Sequence, residues 1–125
     1  MKQDRREFEF PEASEKWGWK YHHIGIPTQE KKKGERYLAA YKFYVSGFPD
    51  SPFGVEWMRF EEDCKMPSLI QTVPHLAFVV QNLDQELLRP EIRLLLPPNP
   101  PMEGIRVAMV EHNGAPIELM EFLAI

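Results

Sequence analysis

Cysteine is almost missing from this chain. A single thiol, Cys64, among 125 residues excludes an internal disulfide framework and fits a reducing compartment. It lies in Glu61-Glu62-Asp63-Cys64-Lys65, an acidic setting unsuited to a reactive thiolate. No apolar run approaches the ~20 residues that a membrane helix needs. The start, residues 1–7, has charges but no apolar stretch of the signal-peptide kind, so the cytoplasm is the expected location. A basic excess is also lacking. Fifteen Lys and Arg face 19 Asp and Glu, a net charge of −4, which argues against nucleic acid, since that partner favours basic patches for counterion release. The one basic cluster, Lys31-Lys32-Lys33 with Arg36, is interleaved with Glu30 and Glu35 and reads as a solvated surface. Nothing in it signals a phosphate or coenzyme A site.

What is present is a globular composition: 43% hydrophobic, 27% charged and 12% aromatic residues, enough to bury the core of one domain. The chain also repeats itself. Val55-Glu56-Trp57-Met58-Arg59-Phe60 returns as Ile117-Glu118-Leu119-Met120-Glu121-Phe122. Upstream of each copy a histidine opens an apolar run, His23-Ile24-Gly25-Ile26-Pro27 and His75-Leu76-Ala77-Phe78-Val79. The chemistry-bearing order is therefore His23, Glu56, His75, Glu118.

Side chains alternate faces along a strand. Glu56, Met58 and Phe60 share one face with their counterparts Glu118, Met120 and Phe122. His23 and His75 open the equivalent face of their own strands, and Ile24, Ile26, Leu76 and Phe78 make the other face greasy. This patterning implies a sheet that packs on helices with one face and lines a hollow with the other. His22 has the wrong parity and is set aside as a ligand.

Along the chain, Phe8, Phe10 and Pro11 suggest a tail that docks on the body. Trp17, Trp19, Tyr21 and His23 alternate into a first strand. Residues 29–40 predict a short helix, 41–46 a strand, 47–54 a loop and 55–60 the first glutamate strand. Residues 61–72 connect two modules, at about 17–60 and 73–122, with a helical turn near Leu69. Asn82 caps a second helix. Residues 92–96 predict a strand. Pro97-Pro98-Asn99-Pro100-Pro101 predicts a stiff loop, because proline cannot donate to a ladder. Residues 106–110 and 115–122 form a hairpin around Asn113-Gly114. The histidine-to-glutamate spacing is 33 residues in the first half and 43 in the second, so the first module reads as trimmed by a strand.

Two imidazoles and two carboxylates, His23, Glu56, His75 and Glu118, form a ligand set for one divalent ion. With water they suit Zn, Ni, Co, Mn or Fe(II), and the absence of thiolate disfavours softer metals. Taken singly, a half-buried histidine is usually a hydrogen-bonded core residue and a strand glutamate usually faces solvent. As a set in an apolar cup they must be neutralised, either by a cation or by pairing with one another. Met58, Met120, Phe60 and Phe122 read as cup-floor packing, with Met102, Phe43 and Trp19 near the mouth.

His-Ile-Gly-Ile-Pro, Pro-His-Leu-Ala-Phe-Val-Val with Asn-Leu-Asp, and Asn-Gly-Ala-Pro-Ile-Glu-Leu-Met-Glu-Phe resemble, in order, the strand openings and closing hairpin of the vicinal oxygen chelate superfamily. This is the group of glyoxalase I, bleomycin-resistance proteins and extradiol dioxygenases. The resemblance covers roughly residues 21–122. It implies an α+β fold in which two βαβββ-type modules form a curved, cup-shaped mixed sheet, with helices on the convex side. It also implies a divalent metal held by His23, Glu56, His75 and Glu118, and a homodimer. The activity implied is of glyoxalase or epimerase type: the metal chelates vicinal oxygens of a small carbonyl substrate and stabilises an enediolate, while Glu118 or Glu56 shuttles the proton. The same resemblance implies two alternatives, a ring-cleaving dioxygenase and a non-catalytic, ligand-sequestering protein of bleomycin-resistance type.

Overall fold

A computed structural model describes residues 8–123; the charged start at residues 1–7 lies outside them. In chain order the elements are α1 (Glu12–Glu15), β1 (Lys20–Pro27), β2 (Arg36–Leu38), β3 (Phe43–Ser46), β4 (Val55–Phe60), α2 (Ser68–Thr72), β5 (His75–Val79), α3 (Leu83–Glu86), β6 (Arg93–Asn99), β7 (Ile105–His112) and β8 (Ala115–Phe122). All eight strands join one sheet in the order β2-β3-β4-β1-β5-β8-β7-β6. The order reads as two copies of one arrangement, meeting where β1 pairs antiparallel with β5. Within each copy the histidine strand runs parallel to the glutamate strand. Gly25 lies opposite Glu56, and Ala77 opposite Glu118. The sequence repeat is thus a repeat in space, and one chain supplies the whole sheet.

The sheet curls. Tyr41, between β2 and β3, donates a hydrogen bond of 2.7 Å to Asn99 Oδ1 at the end of β6, so the turn after one outermost strand meets the end of the other. The convex side holds the main apolar core: Trp19, Val80, Leu83, Ala108, Val110 and Leu119, covered by Ala13, Trp17 and Leu87. Helices α1 and α3 lie here. Asn82 caps α3 through Oδ1, which accepts the Gln85 N–H at 3.1 Å. Trp19 therefore belongs to the convex core, where its indole N–H donates to Glu86 Oε1 at 2.8 Å, and not to the cup mouth. The docked-tail expectation also fails, since Phe8 and Phe10 are exposed; Ala13 and Trp17 make the contact instead.

Further expectations are corrected. Residues 29–35 form no helix, and the strand β2 follows them. Their lysine run carries no apolar stripe, and the ends are held locally: Arg59 clasps Glu35 through two bonds of 2.7 Å, and Lys32 sits 4.5 Å from the Trp57 ring centre. The first module thus lost its helix but kept four strands, whereas the second is strand, helix and three strands. Pro97 and Pro98 fall inside β6, a strand rather than a loop. The strand is the sheet edge, where a missing N–H is tolerated, and its pairing with β7 is irregular there. The helical turn expected near Leu69 forms as α2. Its buried Ile70 lines the cavity. The Asn113-Gly114 turn forms as expected, with φ of 51° and 83° at its two central residues, the left-handed pair of a type I′ hairpin. Among the described residues no helix is long and apolar enough to cross a membrane.

Candidate metal centre

The concave face encloses a cavity of about 300 Å³. Its walls are mainly apolar: Phe43, Val45 and Met58 from the first module, Ile105, Val107, Met109 and Met120 from the second. Period-2 alternation puts these residues inward on β3, β4, β7 and β8. The polar groups lie among them: His22, His23, Glu56, His75 and Glu118, with Arg36 and Asn99 also lining the wall.

His23, His75 and Glu118 each present one ligand atom within 4.8 Å of the others. His75 Nε2 is 2.9 Å from Glu118 Oε1. His23 Nε2 is 3.3 Å from the same oxygen, yet it lacks the alignment of a hydrogen bond and is buried without a partner, as is His75 Nδ1. The two imidazole rings meet edge to face at 5.5 Å. Glu56 lines the same cavity from β4 but lies outside this group of three, and no hydrogen bond or ion pair reaches it among the described residues.

Room for the cluster comes from one glycine. A Cβ at Gly25 would lie 2.1 Å from His75 Cε1 and 2.7 Å from its Nδ1. The His75 ring fills the space a side chain would occupy on the neighbouring strand.

The charges divide sharply. Burial works to raise the Glu118 pKa, but the contacts with His23 and His75 prevail and hold it at about 2. Glu56 goes the other way. Burial pushes its carboxyl up, and the Glu118 charge adds to that against the opposing pull of the histidines. For His23, burial favours the neutral ring, but Glu118 and Glu56 outweigh it and the pKa is raised. Burial and the neighbouring His23 lower that of His22.

His22 is the residue that parity reasoning discarded. Between β1 and β5 the register slips, with Tyr21 opposite Phe78 and His23 opposite Ala77. One residue is extra, so His22 sits in a β-bulge, and bulges re-aim side chains. Its Nδ1 lies 2.8 Å from His23 Nδ1, and its ring stacks on Phe48 at 4.9 Å and 13°. The only hint in the sequence was the doubled histidine itself. Arg36, read above as solvated surface, also reaches the cavity wall.

A buried imidazole nitrogen without a partner, a second beside a carboxylate, and a glycine-made recess fit a metal ion, and the His-His-Glu cluster could hold one. No protein-family model matches the chain, and no curated protein matches it significantly. Among solved structures it is similar to the crystal structure of hypothetical protein BH1468 from Bacillus halodurans C-125. The TM-score is 0.65 at 19% identity, over 86% of this chain and 96% of that one. The likeness is one of fold.

Proposed function

We propose that this chain is a metal-dependent enzyme of glyoxalase or epimerase type, moving a proton on the carbon beside the carbonyl of a small substrate. One observation carries the reading: two imidazoles and a carboxylate converge within 4.8 Å in an apolar cavity. The resemblance to the vicinal oxygen chelate superfamily supports it, as does the curled sheet. His23, His75 and Glu118 would hold the ion, one of Zn, Ni, Co, Mn or Fe. When bound, such an ion supplies Lewis-acid polarisation of a carbonyl oxygen, which acidifies the adjacent C–H.

The rest falls to the chain's own side chains. Glu118, with its pKa held at about 2, stays anionic beside both imidazoles, 2.9 Å from His75 Nε2 and 3.3 Å from His23 Nε2. Glu56 is the proton carrier: a carboxylate oxygen takes the proton from the substrate carbon and returns it. Its raised pKa moves it towards the operating pH, as a general base requires. Two carboxylates pushed in opposite directions mark an acid–base division of roles. The apolar walls exclude water from the exchange. We propose a homodimer as the assembly; light scattering decides that point.

Elemental analysis of the as-purified protein comes first, then deuterium incorporation from solvent into α-hydroxy-carbonyl and thioester substrates. Near-stoichiometric metal, lost in both His23→Ala and Glu118→Ala, with exchange abolished in Glu56→Gln, is the expected outcome. Fully metallated protein that exchanges no such substrate overturns the reading. A metal-free protein that still binds small apolar ligands points to sequestration instead.

A second reading draws on the position of Glu56. With that residue outside the cluster, the set is two histidines and one carboxylate, the donor pattern of non-haem iron(II) oxygenases. Phenylalanine and methionine walls suit an aromatic ring. Anaerobic iron loading followed by catechol and oxygen-uptake measurement tests it.

A further inference from the structure

We propose that His22 is a positioning residue that fixes the tautomer of His23. It accepts a hydrogen bond from His23 Nδ1–H, so that His23 turns the lone pair of Nε2 towards Glu118 and His75. The inference rests on the metal reading only for its consequence, since the hydrogen bond itself belongs to the metal-free chain.

The geometry is specific. The two Nδ1 atoms are 2.8 Å apart, a hydrogen-bond distance, so one nitrogen donates and the other accepts. Were His22 the donor, the His23 proton would sit on Nε2. That atom is buried and has no aligned acceptor. The one carboxylate within ion-pair distance among the described residues, Glu118 Oε1, is 3.3 Å away and already faces His75 Nε2 at 2.9 Å. A buried N–H without an acceptor is rarer and costlier than a buried lone pair. The donor is therefore His23, and its Nε2 carries the free lone pair that a cation takes. Metal-binding histidines are commonly fixed through their other nitrogen in this way.

His22 is itself held in place. It stacks nearly parallel on Phe48 at 4.9 Å, and the Phe122 ring closes in at 5.9 Å. Phe48 lies in a short 3₁₀ turn, Phe48–Asp50, ahead of β4. A side chain at position 54 would press on the strand as well, because a Cβ there would lie 2.8 Å from the His22 carbonyl oxygen. The bulge, the Phe48 stack and Gly54 together aim one ring nitrogen at His23.

The test is nitrogen-15 NMR of the metal-free full-length chain, at a pH above the imidazole range. Wild-type protein should show His23 protonated at Nδ1, with a scalar coupling across the hydrogen bond between the two Nδ1 nuclei. His22→Phe keeps the stack on Phe48 but removes the acceptor, and His23 should shift towards Nε2–H. His22→Asn restores an acceptor at nearly the same place and should restore the Nδ1–H form. Titration with zinc alone should then show affinity reduced roughly 10–100-fold in His22→Phe and recovered in His22→Asn. His23 protonated at Nε2 in the wild type, or unchanged in His22→Phe, overturns the proposal. Unaltered zinc affinity in His22→Phe overturns it too. Should His22→Phe fail to fold, the wild-type coupling and the His22→Asn spectrum still decide. A wild-type chain that takes no zinc sinks the metal reading, while the tautomer assignment separately decides the role of His22.

Discussion

Gly25→Ala is the smallest change that reaches the centre of this site. The new methyl would lie 2.1 Å from His75 Cε1, whereas carbon atoms rest at about 3.5–4.0 Å. The shortfall, roughly 1.5 Å, exceeds what rotation of a tip atom absorbs. The methyl belongs to a strand paired on both sides, to β4 and β5, and the ring is buried. Either the His75 ring leaves its contact with Glu118 or β1 and β5 part. Overpacking of this kind costs about 1–3 kcal/mol, a fall in Tm of roughly 4 °C per kcal/mol for a chain of this size. Metal affinity should fall with it, because His75 is displaced. The decisive measurement is a double-mutant cycle by thermal unfolding. In His75→Ala the recess is vacant, so adding Gly25→Ala should become neutral or even stabilising, as alanine is less costly than glycine in a strand by roughly 0.5–1 kcal/mol. A coupling above about 1 kcal/mol is the expected signature of two residues competing for one space. Additive effects, or Gly25→Ala protein with wild-type Tm and wild-type metal affinity, would refute the reasoning.

Glu118→Gln should lower metal affinity by more than the roughly 10–100-fold typical of an outer partner, read by calorimetric titration. Glu56→Gln should leave metal content intact and slow substrate deuterium exchange by about 10²–10⁴-fold. In metal-free protein, Glu118 has a folded pKa of about 2 against an ordinary 4.5, so its stabilisation is complete above 4.5 and lost as pH falls towards 2. The loss is roughly 3 kcal/mol, seen in urea titrations across that range and absent in Glu118→Gln. His23 acts on the alkaline side: with its pKa raised above 6.5, its contribution is present below 6.5 and disappears as pH climbs through the folded value, and His23→Gln should abolish that slope.

Much of this fold could be read from the chain because the signals were local. Asn113-Gly114 set a hairpin, Asn82 capped a helix, and alternation along 55–60 and 117–122 turned both glutamates to the concave face. The repeat then supplied the long-range information, since equal segments take equal places. What escaped were features set by neighbours. β2 is three residues long and exists through its pairing with β3. β6 tolerates two prolines because it is an edge. The bulge that turns His22 inward arises from the pairing of β1 with β5, and strict period-2 counting misplaces any residue beyond such a slip. Parity brought Glu56 to the cavity but carried no information on how far it stands from the cluster.

The two halves are alike in sequence and unlike in electrostatics. Across the β1–β5 junction His75 lies opposite Gly25, while His23 lies opposite Ala77. The His75 ring occupies the recess over the glycine; opposite His23 the strand carries Ala77, which is fully buried. Both imidazoles end beside Glu118, at 2.9 and 3.3 Å, and neither makes an ion pair with Glu56. A carboxylate flanked by two imidazoles is held as an anion, and one left partly buried without an ion pair favours its proton. The repeat thus carries two acids that match in sequence, and the convergence of both imidazoles on Glu118 gives them opposite proton affinities. That asymmetry is what the proposed division of roles requires, in which one carboxylate anchors and the other carries a proton.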